Sequence, residues 1–133
     1  MQHKMLVVDD DVDVVIVVVA AAKARGFGAI GTTDPTEVPM RVRVYRPDIV
    51  LLDLQMGKHD GRDLLAQLKR DTETAVSIVV VMSGTYDPHT RALCRDYGAA
   101  DFVTKPFILD DLFHRVDVAL RRAGGETRDG DNG

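Results

Sequence analysis

The sequence predicts an α/β fold in which five parallel strands alternate with helices. Short apolar runs alternate with longer stretches of helical pattern, which is typical of repeated βαβ units. Polar side chains follow four of the apolar runs, and these are Asp9 with Asp10, Asp53, Ser83, and Lys105. Because ligands of open parallel sheets bind outside the carboxyl ends of the strands, these side chains are expected at one site.

Strands are predicted near residues 4–9, 27–32, 48–53, 76–83 and 100–104. Residues 5–8, 49–52 and 78–82 are unbroken apolar runs, as expected for strands that are buried on both faces. Gly26 provides a turn into the second strand, and the fifth strand is the short stretch Phe102-Val103.

Helices are predicted between the strands, near residues 12–25, 35–45, 61–71, 87–97 and 109–122. Three of them begin with an aspartate before a proline or a glycine, at Asp34, Asp60 and Asp87. Gly26 and Gly98 stand where the first and fourth helices should stop. The predicted domain covers residues 1–122. Residues 123–133 are expected to form a flexible tail or the start of a linker, because residues 124–133 contain no apolar side chain.

Two stretches fit these helices poorly. Residues 14–19 are an unbroken β-branched run, which favours a strand, but residues 20–25 continue in good helix formers and a parallel crossover needs a dozen or more residues. Helical spacing then places four residues on the sheet: Val14, Val17, Val18 and Ala21. It leaves an exposed apolar strip: Val15, Ile16 and Val19. Pro39 is expected to break or kink the helix begun at Pro35.

Composition bounds the class of protein. The chain has 133 residues, 45% of them hydrophobic, which suits a single domain with a single core. The net charge of −4 and the lack of a basic stripe argue against direct nucleic-acid binding. Cys94 is the one cysteine and fits a reducing compartment, without disulfides. The longest apolar run, residues 14–22, is too short to span a bilayer, and no secretory signal is recognised. A soluble, cytoplasmic protein without membrane contact is predicted.

The polar groups at the strand ends suit phosphoryl chemistry with magnesium. An aspartate that accepts a phosphoryl group is a weak nucleophile, so it needs alignment and charge neutralisation on the transferring oxygens. Asp9 and Asp10 can hold magnesium from one strand end while Asp53 contributes from the next. Lys105 offers a compact positive charge to a phosphoryl oxygen, and Ser83 offers a hydroxyl donor.

These motifs closely resemble the receiver domain of two-component response regulators, over residues 4 to about 122. The matching segments are residues 6–10, 48–56, 60–61, 82–84 and 102–107. Each segment is a weak signal alone, but together, in order and at strand ends, they are specific. The resemblance implies a doubly wound sheet of order 2-1-3-4-5, the flavodoxin-like fold, with helices on both faces.

The resemblance also implies a role for each residue of the site. Asp53 is the implied phosphoacceptor, and Lys105 and Ser83 are the implied partners of the phosphoryl group. The implied magnesium ligands are three carboxylates and one backbone carbonyl: Asp9, Asp10, Asp53 and Gln55. Ser83 and Phe102 are the implied switch residues, the ring of Phe102 turning inward when Ser83 is drawn toward the phosphoryl group.

The loop after Asp53 departs from the family pattern. Gly57 stands where proline is usual and His59 where methionine is frequent, which puts the stiffness of the loop and access to the site in question. His59 is expected to be a solvated loop residue. Cys94 is expected to be a packed helix residue rather than a nucleophile.

The implied function is a phosphorylation-operated switch and not a turnover enzyme. A sensor histidine kinase or a histidine phosphotransfer protein would donate the phosphoryl group to Asp53, and homodimer formation on phosphorylation is compatible with this. One alternative is a haloacid-dehalogenase-like phosphatase with Asp9 as nucleophile, although Asp13 occupies its usual threonine position. The other is a receiver-like binding module that works without phosphorylation, although the acidic site and Lys105 are intact.

The apolar strip of Val15, Ile16 and Val19 has two interpretations. Exposed apolar patches tend to mark interaction sites, so the strip could dock the kinase or phosphotransfer partner beside the acceptor. Alternatively, the helix is rotated or covered by a neighbouring segment, and these side chains belong to the core.

Overall fold

The computed structural model describes residues 2–85 and 87–125. Five parallel strands form its main sheet: β1 (Lys4–Val8), β2 (Gly28–Thr32), β3 (Ile49–Asp53), β6 (Ile78–Ser83) and β7 (Asp101–Thr104). Two further strands, β4 (Gln55–Met56) and β5 (His59–Asp60), form a small antiparallel hairpin that the sequence did not predict. The order of the main sheet is β2-β1-β3-β6-β7. With the hairpin set aside, this is the predicted order 2-1-3-4-5, so the predicted flavodoxin-like fold is confirmed.

The helices cover both faces of this sheet. They are α1 (Val12–Ala24), α2 (Val38–Tyr45), α3 (Gly61–Arg70), α4 (Pro88–Asp96) and α5 (Leu109–Ala123). The predicted tail begins at the last residue of α5, and residues 126–133 lie outside the described residues. No helix in the described part of the chain is long and apolar enough to cross a membrane.

The main sheet separates two apolar cores. Side chains of a strand alternate between faces, so neighbours in sequence enter different cores. Met5 and Val7 of β1 pack with residues of α1 and α5, whereas Leu6 and Val8 pack with residues of α2, α3 and α4. Coverage of both faces explains why the central strands are continuous apolar runs rather than alternating ones.

Aspartates begin most of the helices, as predicted. Asp34, Asp60 and Asp87 each accept a hydrogen bond from the backbone N–H two residues later, at 2.9, 2.9 and 3.1 Å. Asp11 does the same at the start of α1, with a distance of 2.9 Å to the nitrogen of Asp13. These contacts satisfy backbone donors that have no partner inside the helix.

The segment of residues 35–45 is not one helix, so that prediction is wrong. A 3-10 turn covers Pro35–Glu37, and α2 begins afterwards at Val38. Pro39 therefore lies in the first turn of α2, where its missing N–H removes no helical hydrogen bond. The helical segment begun at Pro35 is thus interrupted just before Pro39, as expected, and the proline lies at the start of the helix that follows.

The predicted face of α1 is also wrong in part. Val18 and Ala22 are fully buried, while Val12, Ile16 and Val17 are 55%, 60% and 51% exposed. Val15 and Val19, expected on the exposed strip, instead pack against the core.

Gly31 in β2 explains this orientation of α1. A Cβ atom built on Gly31 would lie 2.3 Å from Val15 Cγ1 and 3.2 Å from Val19 Cγ2. The missing side chain of Gly31 therefore lets α1 approach β2 through these two valines. Of the predicted strip, Ile16 alone is exposed, so Val15, Ile16 and Val19 do not form the exposed apolar strip that was expected, and Val15 and Val19 belong to the core side of α1.

Candidate functional site

The predicted site residues meet at the carboxyl edge of the main sheet. Asp9 follows β1, Asp53 ends β3, Ser83 ends β6 and Lys105 follows β7. Strand register fixes their heights, because Asp53 pairs with Met82 and Ser83 pairs with Thr104. The backbone N–H of Lys105 also donates to the carbonyl oxygen of Ser83 at 2.7 Å. Four separate segments therefore place their polar groups in one small region.

Three carboxylates converge at this edge. Asp9 and Asp53 are buried, with 0% and 2% exposure, and Asp10 is exposed. One carboxylate oxygen from each of the three aspartates lies within 4.8 Å of the other two. Local backbone holds the two buried groups in place: Asp9 Oδ1 accepts the N–H of Asp11 at 2.9 Å, and Asp53 Oδ1 accepts the N–H of Gln55 at 3.1 Å.

Lys105 supplies positive charge to the two buried carboxylates. Its Nζ lies 2.6 Å from Asp9 Oδ2 and 3.6 Å from Asp53 Oδ1. Burial lowers the pKa of Lys105, but the hydrogen bond to Asp9 and the negative charges of Asp53 and Asp9 outweigh it, so the pKa is raised overall. Lys105 is therefore a permanent cation, and three carboxylates against one ammonium leave the site negative.

Asp53 is more basic than an ordinary aspartate. Its pKa is raised from 3.8 to about 6, because burial and the neighbouring Asp9 outweigh the lowering effects of the Gln55 N–H hydrogen bond and the Lys105 charge. The carboxylate is thus still mostly ionised at neutral pH, and its oxygens are better electron donors than those of an exposed aspartate.

The donor set fits a hard divalent cation. Magnesium prefers oxygen ligands and typically takes a few carboxylates while it keeps several waters. The oxygens of Asp9, Asp10 and Asp53 meet that preference, and the net negative charge of the cluster favours a cation. Gln55, whose backbone carbonyl is the fourth predicted ligand, lies in β4 directly beside Asp53.

The Gln55 side chain forms contacts that the sequence did not predict. Its Oε1 lies 3.3 Å from the backbone nitrogen of Gly84 and 3.5 Å from Ser83 Oγ. Its Nε2 donates to Thr85 Oγ1 at 2.9 Å. Ser83 Oγ also accepts the N–H of Thr85 at 3.1 Å. From the sequence, Gln55 could be recognised only as a polar residue two positions after Asp53. The direction of its side chain follows from the hairpin that carries it and from its contacts with Gly84 and Thr85.

The loop after Asp53 is closed by the hairpin of β4 and β5. Gln55 pairs with Asp60 and Met56 pairs with His59, while Gly57 at the tip has a positive φ of 58°, a conformation that suits glycine. The N–H of Gly61 donates to the carbonyl oxygen of Leu54 at 2.9 Å. Backbone pairing thus stiffens a loop that lacks the proline usual in the family.

A groove beside the hairpin is lined by two of the predicted site residues, Gln55 and Ser83. The groove has a volume of about 350 Å³, and its other lining residues include Lys58, His59, Thr85 and Thr90. His59 is exposed on this groove, in agreement with its expected place in solvent.

Phe102 and Cys94 both lie in the core on the α2, α3 and α4 face. Phe102 is 5% exposed, so its ring already points inward, and the guanidinium of Arg91 lies 5.7 Å from the ring centroid. Cys94 is fully buried, and burial raises the pKa of its thiol, which fits the predicted packing role.

Comparison with known proteins identifies response regulators and their receiver domains as relatives of this chain. The family model described as the response regulator receiver domain matches residues 5–117. The DNA-binding response regulator MtrA of Mycolicibacterium paratuberculosis is 32% identical over 126 residues, which are 95% of this chain and 55% of that protein. The transcriptional regulatory protein PrrA of Mycobacterium bovis is 33% identical over 122 residues, which are 91% of this chain and 51% of that protein. The chain therefore spans about half the length of these curated relatives.

Solved structures agree with the fold. NtrX from Brucella abortus superposes with a TM-score of 0.84 and 28% identity, covering 93% of this chain and 28% of that one. A CheY-like receiver domain protein from Methanospirillum hungatei gives a TM-score of 0.87, with 16% identity and coverage of 94% and 98%. The name of MtrA describes that protein as DNA-binding. The sequence predicts that this chain itself does not bind nucleic acid, and this stays a prediction.

Proposed function

Since the chain belongs to the response regulator receiver domain family, we propose that it is a phosphorylation-operated switch whose phosphoacceptor is Asp53. A sensor histidine kinase or a histidine phosphotransfer protein is the donor. The residues that promote transfer of the phosphoryl group to Asp53 also promote the later hydrolysis of the phosphorylated Asp53. The protein therefore acts on itself and not on a free substrate.

One observation supports this proposal most directly. Two buried carboxylates, Asp53 and Asp9, share the ammonium of Lys105, which lies 3.6 Å from Asp53 and 2.6 Å from Asp9. A strand-end aspartate with a purely structural role would not need two further ionised groups, since burying charge is costly. The arrangement suits a group that receives negative oxygens.

The transfer step follows from the positions of these groups. A carboxylate oxygen of Asp53 attacks phosphorus, a P–O bond forms, and the P–N bond to the donor imidazole breaks with its electron pair returning to that ring. Lys105 offers charge and Ser83 a hydroxyl to the phosphoryl oxygens, because phosphoryl transfer depends mainly on positioning and charge stabilisation. Asp9, Asp10, Asp53 and the Gln55 carbonyl would hold magnesium, which would supply positive charge to offset the negative charge of the phosphoryl group. In hydrolysis, water attacks the same phosphorus and the Asp53 carboxylate leaves.

The switch acts on an output outside the described residues. The curated relatives are about twice the length of this chain and include a DNA-binding regulator, so a transcriptional output is one such case. We infer that this chain itself contacts protein partners rather than nucleic acid or membrane, and that it works in the cytoplasm. Phosphorylation can also favour a homodimer.

Incubation with magnesium and acetyl phosphate tests the proposal. Intact mass should increase by one phosphoryl group, and hydroxylamine should remove it, as it cleaves an acyl phosphate. Asp53→Asn should abolish the gain with the fold intact, whereas Asp117→Asn on the exposed face of α5 should leave it unchanged. Labelling that persists in Asp53→Asn would contradict the assignment.

A further inference from the structure

The carboxamide of Gln55 lies across the end of β6, where it contacts three consecutive residues. Its Oε1 faces the Gly84 N–H at 3.3 Å and Ser83 Oγ at 3.5 Å, and its Nε2 donates to Thr85 Oγ1 at 2.9 Å. A backbone N–H can only donate, so the atom that faces Gly84 is the oxygen of the carboxamide. The main chain therefore fixes the orientation of this group.

The backbone of the same residue contacts the acceptor. The Gln55 N–H donates to Asp53 Oδ1 at 3.1 Å, so one residue joins the acceptor carboxylate to the donors at the end of β6. Gln55, Ser83 and Thr85 also line the groove beside the hairpin.

Ser83 has its own reason to point toward Gln55. Its oxygen accepts the N–H of Thr85 at 3.1 Å, which leaves the hydroxyl hydrogen to be donated elsewhere. The acceptor in contact with this hydroxyl is Gln55 Oε1. Two donors, the Ser83 hydroxyl and the Gly84 N–H, thus converge on a single oxygen atom.

We propose that Gln55 Oε1 is an internal substitute for a phosphoryl oxygen, holding the Ser83 hydroxyl and the Gly84 N–H until Asp53 is phosphorylated. This inference rests on the proposed function, because the two donors gain this meaning only if Asp53 carries a phosphoryl group. A phosphoryl oxygen carries more negative charge than an amide oxygen and is the stronger acceptor. Gln55 is therefore a positioning residue, and its side chain leaves the two donors when the phosphoryl group arrives.

A matched pair of variants tests the inference in the full chain. Gln55→Met keeps the length of the side chain but cannot hydrogen bond, and Gln67→Met makes the same change at an exposed position of α3. With magnesium present, Gln55→Met should bind beryllofluoride, a phosphoryl mimic, about fivefold more tightly than wild type, as expected for one neutral hydrogen bond no longer exchanged. Phosphorylation by acetyl phosphate should accelerate by a similar factor, and Gln67→Met should match wild type. Unchanged or weaker binding in Gln55→Met would overturn the inference.

Hydrogen exchange gives a readout that does not depend on the phosphodonor. In the unphosphorylated protein, the Gly84 amide should exchange faster in Gln55→Met than in wild type. The Leu54 amide, which donates to the Met82 carbonyl at 3.0 Å, should not change and reports that the fold is intact. Equal exchange of Gly84 in both proteins would count against the contact.

A milder variant covers the case in which Gln55→Met does not fold. Thr85→Val removes the acceptor of Gln55 Nε2 and should give a smaller increase in beryllofluoride affinity. No increase in Thr85→Val would then overturn the inference. A wild-type protein that takes neither acetyl phosphate nor beryllofluoride would contradict the proposed function itself, whereas reactive wild type with unchanged variants would contradict this inference alone.

Discussion

Lys105 is paired more closely with Asp9 than with Asp53, at 2.6 Å against 3.6 Å. Both carboxylates are buried, so the ammonium offsets the charge of Asp9 more than that of Asp53. The pKa of Asp53 is raised to about 6, chiefly by burial. The proposed nucleophile is therefore the buried carboxylate that is less well neutralised.

The pH dependence of stability should depend on Asp53. Its carboxyl takes up a proton near pH 6 when folded but near 3.8 when unfolded, so the folded state binds more protons between these values. In magnesium-free buffer, the free energy of unfolding should therefore rise as pH falls from 7 toward 4, by at most about 3 kcal/mol from this group. Urea unfolding of wild type and Asp53→Asn measures the effect. The variant should lose this rise, and an identical pH slope in both proteins would show that Asp53 is not the group responsible.

Asp10→Asn should weaken magnesium binding by at least about tenfold, because it removes one carboxylate ligand. The metal-free protein should become slightly more stable, since one of three like charges is lost. Titration calorimetry measures the affinity, and thermal unfolding in a chelator measures the stability. Asp13→Asn, in the first turn of α1, removes an equal charge nearby and should keep the affinity. Equal affinities in the two variants would remove Asp10 from the metal site.

Lys105→Ala should destabilise the metal-free protein by about 1–3 kcal/mol, because it leaves buried Asp9 without its ion-pair partner. Magnesium should reduce this loss by supplying positive charge to the same carboxylates. Magnesium binding should remain largely in place, while phosphorylation by acetyl phosphate should slow. Denaturation with and without magnesium provides the comparison. A loss of stability that is the same in both buffers would separate Lys105 from the charge of the carboxylate cluster.

Gly31→Ala should destabilise the fold by about 1–3 kcal/mol, since the added methyl group would overlap Val15. Val15→Ala in the same chain should recover part of that loss, because it vacates the space. Gly124→Ala, at the end of α5, meets nothing closer than 3.5 Å and should change stability little. Urea unfolding of wild type, Gly31→Ala, Val15→Ala and the double variant gives the coupling energy between positions 15 and 31. Additive effects would mean that α1 does not rest on Gly31.

Sequence reasoning located the strands and the polar ends because these signals are local. Runs such as residues 49–52 are apolar without a break, and Asp53 follows directly, so the position of the carboxylate in the sheet could be read from neighbours in the chain. Helix starts at Asp34 and Asp60 were equally local, since each cap contacts a residue two positions later.

Two of the features that sequence reasoning missed involve partners that are distant in sequence, and the third is a hairpin too short to recognise. The face of α1 depends on Gly31, whose missing side chain draws Val15 and Val19 inward, and no periodicity within α1 records that. The direction of the Gln55 side chain depends on Gly84 and Thr85 in another loop. The hairpin after Asp53 consists of two strands of two residues each, too short for an alternation pattern to be recognised.

The hairpin also limits how the acceptor loop can change during evolution. Gly57 at its tip has free space around it, so other residues that tolerate a positive φ, such as asparagine, can replace it. The number of residues is less free. Met56 is buried and its neighbour Gln55 is exposed, so one inserted residue would exchange their faces and separate Gly61 from Leu54. Substitutions should therefore accumulate at the tip of this loop, while insertions and deletions between Asp53 and Gly61 should be rare among functional homologues.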